Sequence, residues 1–169
     1  MIPATRNKKI GILHLEDFLK DSELIHFLIE SGEIGHEYFL AENEKDFLNF
    51  LETENIDIIL SDYSLPDYNG NEALKVAREK YSNIPFIFVS GAMGEDAAIN
   101  AMLNGATDYV LKNKLERLVP AIKRAMHEHE LAIKQKQAEA ELRIANIELA
   151  FQNKEKDKRA KELIIANYY

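Results

Sequence analysis

The stretch that decides the fold is Ile56-Asp57-Ile58-Ile59-Leu60-Ser61-Asp62-Tyr63-Ser64-Leu65-Pro66-Asp67-Tyr68-Asn69-Gly70. Its apolar run is short and stops against turn formers, the pattern of a strand buried on both faces in a parallel sheet. The strand is expected over Ile56 to Ser61. In open α/β sheets ligands bind beyond the carboxyl ends of the strands. Asp62 stands at such an end and is therefore a candidate for chemistry, although Asp is also a common turn residue.

The same alternation continues on both sides. Lys9 to Leu15 reads as a first strand ending in Glu16-Asp17. Asp21 and Ser22 are placed to cap a helix carrying Leu24, Ile25, Leu28 and Ile29 on one face, and Gly32 lies just past its end. Glu37 to Ala41 reads as a second strand and Glu44 to Glu54 as a second helix. Beyond Gly70 follow a helix over Asn71 to Lys80, a strand from Phe86 to Ser90, a helix from Glu95 to Leu103 closed by Asn104-Gly105, and a strand from Asp108 to Leu111. Five such alternations predict an α/β, three-layer sandwich with a parallel sheet and right-handed crossovers.

The ends of parallel strands share one edge of the sheet. That edge would gather Glu16, Asp17, Asp62, Ser90 and Lys112. Close carboxylates repel one another and resist ionising, and a hard divalent cation such as Mg²⁺ resolves the conflict. A carboxylate nucleophile, a metal, a hydroxyl and an ammonium are the parts needed for phosphoryl transfer to Asp62.

Composition narrows the classes further. The 169 residues contain no Cys, which excludes disulfides, thiolate nucleophiles and thiolate-held metals. Residues 1–120 carry 11 Lys and Arg against 21 Asp and Glu, whereas residues 121–169 carry 10 against 8. An acidic globule and a nearly neutral tail result, and neither offers the basic patch with interleaved aromatics that nucleic acid requires. There is no signal-peptide pattern and no apolar run of membrane-spanning length, so a cytoplasmic protein with no membrane partner is expected.

These motifs resemble the response-regulator receiver domain of two-component signalling. The resemblance rests on Glu16-Asp17, the loop from Asp62 to Gly70, Val89-Ser90-Gly91-Ala92, and Asp108-Tyr109-Val110-Leu111-Lys112, and covers about residues 8–128. It implies a flavodoxin-like sheet of order 2-1-3-4-5. It also implies Mg²⁺ held by Glu16, Asp17, Asp62 and the backbone carbonyl of Ser64, and a partner histidine kinase or phosphotransfer protein that phosphorylates Asp62. Ser90 and Lys112 would contact the phosphoryl group, Ser90 and Tyr109 would act as the switch, and the chain would be a self-catalysed phosphoacceptor rather than an enzyme. Asn113 stands where the family usually has Pro, so a trans bond after Lys112 and an altered loop are expected. Ser90 and Gly91 also depart from the commoner Thr and Ala.

From Ala121 to Tyr169 there is neither Gly nor Pro, and a single helix on the order of 70 Å could run through it at 1.5 Å per residue. Pro120 belongs in a first turn, which puts the start of that helix near Glu116 or Arg117. Glu141-Leu142-Arg143-Ile144-Ala145-Asn146 recurs as Glu162-Leu163-Ile164-Ile165-Ala166-Asn167, three heptads on, with Leu142, Leu149 and Leu163 at one core position. Residues 1–128 are thus read as a receiver domain. Residues 129–169 are read as a helical linker, a coiled coil that could form a homodimer. The abrupt stop at Tyr168-Tyr169 reads as a cut ahead of a downstream output module, and the repeat resembles linkers of hybrid sensor kinases. Two rival readings are a phosphohydrolase of the haloacid dehalogenase type, whose Asp-x-Asp pattern Glu16-Asp17 lacks, and a constitutive receiver-like dimerisation scaffold.

Overall fold

The structure, a computed structural model, describes residues 9–66, 68–91 and 94–167; Asp67, Ala92 and Tyr168-Tyr169, quoted above, lie outside the described residues. The elements run β1 (Ile10–Leu15), α1 (Leu19–Ser31), β2 (His36–Ala41), α2 (Glu44–Thr53), β3 (Ile58–Ser61), α3 (Gly70–Lys80), β4 (Phe86–Ser90), α4 (Glu95–Leu103), β5 (Asp108–Leu111), a 3₁₀ segment (Lys112–Arg117) and α5 (Leu118–Ala166). The strands form one sheet of order β2-β1-β3-β4-β5, and each pair is parallel. This is the flavodoxin-like architecture expected from the sequence.

The three layers follow from side-chain alternation along the strands. Leu13, Leu15, Ile59, Phe86 and Phe88 pack on one face against Phe47 and Leu51 of α2, Leu74 and Ala77 of α3, and Ala101 of α4. Ile12, Ile58, Leu60, Ile87, Val89 and Val110 pack on the other against Ile25 and Ile29 of α1 and Leu118, Ile122 and Ala125 of α5. Both faces are covered, which is why β3 and β4 read as unbroken apolar runs.

Several local boundaries differ from expectation, most of them by a single residue. The β3 ladder begins at Ile58 rather than Ile56, because the Asp57 carboxylate itself accepts the Gly11 N–H. α1 begins at Leu19, with no side-chain cap on Phe18; Ser22 instead donates to the Leu19 carbonyl, and Asp21 turns toward the sheet edge. Gly32 lies just past the end of α1, as expected, with φ −79°, and the left-handed residue is Glu33 at φ 55°. Glycine is needed at position 32 for space, since a Cβ there would lie 2.7 Å from Val119 Cγ1. Finally, α5 starts at Leu118 after the 3₁₀ segment, in which Lys114 (φ −137°, ψ 43°) interrupts helical geometry, and Pro120 falls in its first turn. The Lys112–Asn113 bond is trans. At the α4 terminus the expectation holds: Gly105 (φ 98°) and Ala106 donate to the carbonyls of Met102 and Ala101.

The chain divides into two compact units, one ending at His129 and the other beginning at Glu130. The second is α5 from Glu130 onward. It is solvent-exposed along almost its whole length and stitched by Lys134–Glu130 and Gln135–Glu139 pairs. Leu142, Leu149 and Leu163 are all more than half exposed. Among the described residues, no helix is long and apolar enough to cross a membrane.

Gly32→Ala keeps an allowed φ and adds only a methyl against Val119, so it is expected to destabilise the first unit by about 1–3 kcal/mol. Adding Val119→Ala would return part of that loss, a non-additivity read by urea denaturation of the two single variants and the double variant.

Candidate functional site

The carboxyl edge of the sheet places the predicted side chains. The Asp62 amide donates to the Leu15 carbonyl (2.9 Å) and the Glu16 amide to the Ala41 carbonyl (2.9 Å), so each ladder holds one acid at its end. Glu16 is 1% exposed and Asp62 8%. Lys112 reaches across from the end of β5. Its Nζ donates to Glu16 Oε2 at 2.6 Å, Asp21 Oδ2 at 2.6 Å and Asp62 Oδ2 at 2.8 Å. Three donors thus meet three carboxylates.

The remaining oxygens are partly engaged. Glu16 Oε1 accepts from the Phe18 amide (3.0 Å), which ties the carboxylate to the residue just before α1. Asp62 Oδ1 accepts from the Ser64 amide (3.2 Å), a turn in which the Asp side chain binds the backbone two residues on and which keeps the Ser64 peptide close to the acid. Gly70 closes this loop. Its amide donates to the Tyr63 carbonyl, and a Cβ would lie 2.4 Å from the Asp62 carbonyl oxygen and 2.8 Å from Phe88 Cε1. Among the described residues, a Cβ on Gly91 would meet Lys112 Cδ at 4.0 Å and one on Gly94 would meet nothing within 4 Å.

Of the predicted residues, Glu16, Asp62 and Lys112 are brought into direct contact. Ser64 is tied to them through its amide. Ser90 ends β4 beside Asp62's strand, 3% exposed, with its Cα paired to Leu111 just before Lys112. Tyr109 is partly buried against the face that holds Phe88 and Ala101. Asp17 is exposed and stands outside the Lys112 cluster. Asp21 was missed as a site residue, because a polar residue three positions into a helical pattern carries the same signal as a cap.

Burial and charge compete at this edge. Burial pushes the Glu16 carboxyl up, against the Lys112 and Phe18 hydrogen bonds that pull it down. Burial likewise disfavours the Lys112 ammonium, but the hydrogen bonds to Asp21, Asp62 and Glu16 outweigh it and hold its pKa above the ordinary lysine value. Three carboxylates against one ammonium leave an excess of two negative charges when all are ionised.

With the ammonium at the centre, no group of three His, Cys, Asp or Glu side chains among the described residues is arranged to hold a metal. Mg²⁺ asks for less, namely one or two carboxylates with waters completing its shell. The all-oxygen donors of Glu16 and Asp62, the surplus negative charge and the adjacent Ser64 peptide fit it.

The sequence profile described as the response regulator receiver domain matches residues 12–123. The chain belongs to the response regulator receiver family. Members of the family generally bind Mg²⁺ at the acidic pocket and interact with kinases or phosphotransfer proteins and with output domains. The chain is 39% identical over 71 residues to the DNA-binding transcriptional regulator NtrC of Proteus hauseri, a match covering 42% of this chain and 15% of that protein. It is 29% identical over 154 residues to the transcriptional regulatory protein YxdJ of Bacillus subtilis, covering 85% of this chain and 67% of that protein. Among solved structures, a response regulator receiver domain protein from Clostridium thermocellum superposes with TM-score 0.66 at 27% identity, over 73% of this chain and 98% of that one. Receiver function is thereby the function of the first unit.

One histidine of this receiver unit is closed off from the site's proton chemistry. His14 is fully buried on β1, its Nδ1 2.5 Å from the Tyr38 hydroxyl, whose ring stacks on His26. Burial, then the Lys112 and His26 charges, lower its pKa from 6.5 to about 3. The folded protein thus refuses a proton that the unfolded chain accepts below about 6.5. This contribution is complete above that pH and drains away as pH falls toward about 3. His14→Leu is expected to flatten the stability profile over that window by roughly 1.4 kcal/mol per pH unit, the worth of one proton. Urea midpoints of both proteins between pH 7 and pH 4.5 would measure it.

Proposed function

We propose that Asp62 is the phosphoacceptor of this receiver and that it takes its phosphoryl group from a partner phosphohistidine. The observation that carries the reading is the Lys112 ammonium 2.8 Å from Asp62 Oδ2 and 2.6 Å from the buried Glu16. An Asp62 carboxylate oxygen attacks phosphorus, the P–N bond breaks, and its electron pair stays on the imidazole nitrogen, which takes up a proton. Negative charge gathers on the three equatorial oxygens as the bond changes. Lys112 holds a full positive charge against them, and Ser90, at the end of the neighbouring strand, would offer its hydroxyl. Mg²⁺, when bound, would supply the remaining charge compensation, with Glu16, Asp17, Asp62 and the Ser64 carbonyl as its holders.

In this reading the chain is a stoichiometric phosphoacceptor and not a turnover enzyme, and it operates in the cytoplasm. Phosphate at Asp62 draws Ser90 toward it, and Tyr109 follows inward; the two conformations are what a downstream output module reads. The α5 helix beyond Glu130 would serve as a coiled-coil linker and homodimer seam. Support comes from Leu142, Leu149 and Leu163, which lie 63%, 56% and 66% exposed at heptad-compatible spacing. Sedimentation with and without beryllofluoride tests this second part, since a constitutive scaffold would not respond.

Incubation with acetyl phosphate and Mg²⁺ is expected to give one acid-labile phosphate per chain, to be lost on adding a chelator and to be absent in Asp62→Asn. Acid-labile phosphate retained by that variant would overturn the assignment.

A further inference from the structure

Lys112 has three N–H donors, and all three are spent on Glu16, Asp21 and Asp62. A phosphoryl oxygen arriving on Asp62 needs one of them, so a carboxylate must give way. Glu16 is a poor choice: its side chain is 0% exposed, so water cannot take the place of the ammonium there. Asp21 is the better one, because its side chain is 33% exposed and water can take over its hydrogen bonds.

The geometry points to Asp21 as a positioning residue that holds the Lys112 ammonium in the resting receiver and is displaced from it by the phosphoryl group. The inference rests on Asp62 as the acceptor. Asp21 lies in the first turn of α1, its amide bonded to the Phe18 carbonyl. Its release therefore reports occupancy of Asp62 to the start of α1, a route separate from Ser90 and Tyr109. Asp21 also keeps a negative charge within one side chain's length of the incoming anion. Its neutralisation removes both a competitor for Lys112 and a repulsive charge, and the two effects act in the same direction.

The test is the affinity of the whole chain for beryllofluoride in Mg²⁺, followed by ¹⁹F NMR, for the wild type and for Asp21→Asn, Asp21→Glu and Asp62→Asn. Asp21→Asn is expected to bind roughly five- to tenfold more tightly, and Asp21→Glu to return toward the wild-type value. The Lys112 Nζ resonance of the wild type is expected to shift on binding by more than that of Asp21→Asn. Affinity unchanged or reduced in Asp21→Asn overturns the inference, and so does a Lys112 Nζ shift as large in Asp21→Asn as in the wild type, because loss of a repulsive charge alone would raise affinity without changing what Lys112 contacts. Binding that survives in Asp62→Asn would instead overturn the assignment of the acceptor, so the two failures are told apart.

Discussion

The ammonium of Lys112, 2.6–2.8 Å from three carboxylates, is the contact on which the rest of the site depends. Glu16, 1% exposed, follows a strand buried from Gly11 to Leu15, and a carboxylate left there without a cation would cost several kcal/mol. Lys112 makes that burial tolerable, but one positive charge against three negative ones leaves the edge acidic. The same arrangement therefore stabilises the resting fold and keeps a standing demand for a further cation. Structure and chemistry are set here by one balance of charges, not by two.

The sheet is what allows so few groups to do this. Its five strands are parallel and bring Glu16, Asp62, Ser90 and Lys112 to one edge. The residues that create the order, Ile58 to Leu60 and Phe86 to Val89 above all, are apolar on both faces and carry no chemistry themselves. The polar side chains that meet at the edge stand at or just past the ends of these runs, with Asp21 joining them from the first turn of α1.

That division explains what could be read from the chain. β4, α4 and β5 fall at the residues expected, and the strand order follows from the repeated alternation, because periodicity reports burial and burial dominates these elements. Helix ends fared worse. Asp21 has the chemistry of a cap, but its partner is 91 residues away, and nothing in its neighbours announces Lys112. Gly32 has the position of a left-handed terminator, yet its requirement is set by Val119, on a helix the local sequence cannot see. The start of α5 at Leu118 lies next to the position expected from Pro120, but Pro120 does not say what precedes it, and the 3₁₀ segment with its interruption at Lys114 carries no comparable signal.

The two sides of Asp62 differ in how much they can yield. On the side of α3, Gly70 lies so close that even a methyl would collide with the Asp62 carbonyl and with the Phe88 ring. On the side of β4 and α4, a Cβ on Gly91 or Gly94 would meet, among the described residues, the stem of Lys112 or nothing. The close approach is to the main chain of the Asp62 loop, so a side chain is barred at position 70. Position 70 is thus closed to any residue but glycine by the main chain it supports, so the loop that carries Asp62 is seated on α3 by a missing side chain as well as by the hydrogen bond from the Gly70 amide.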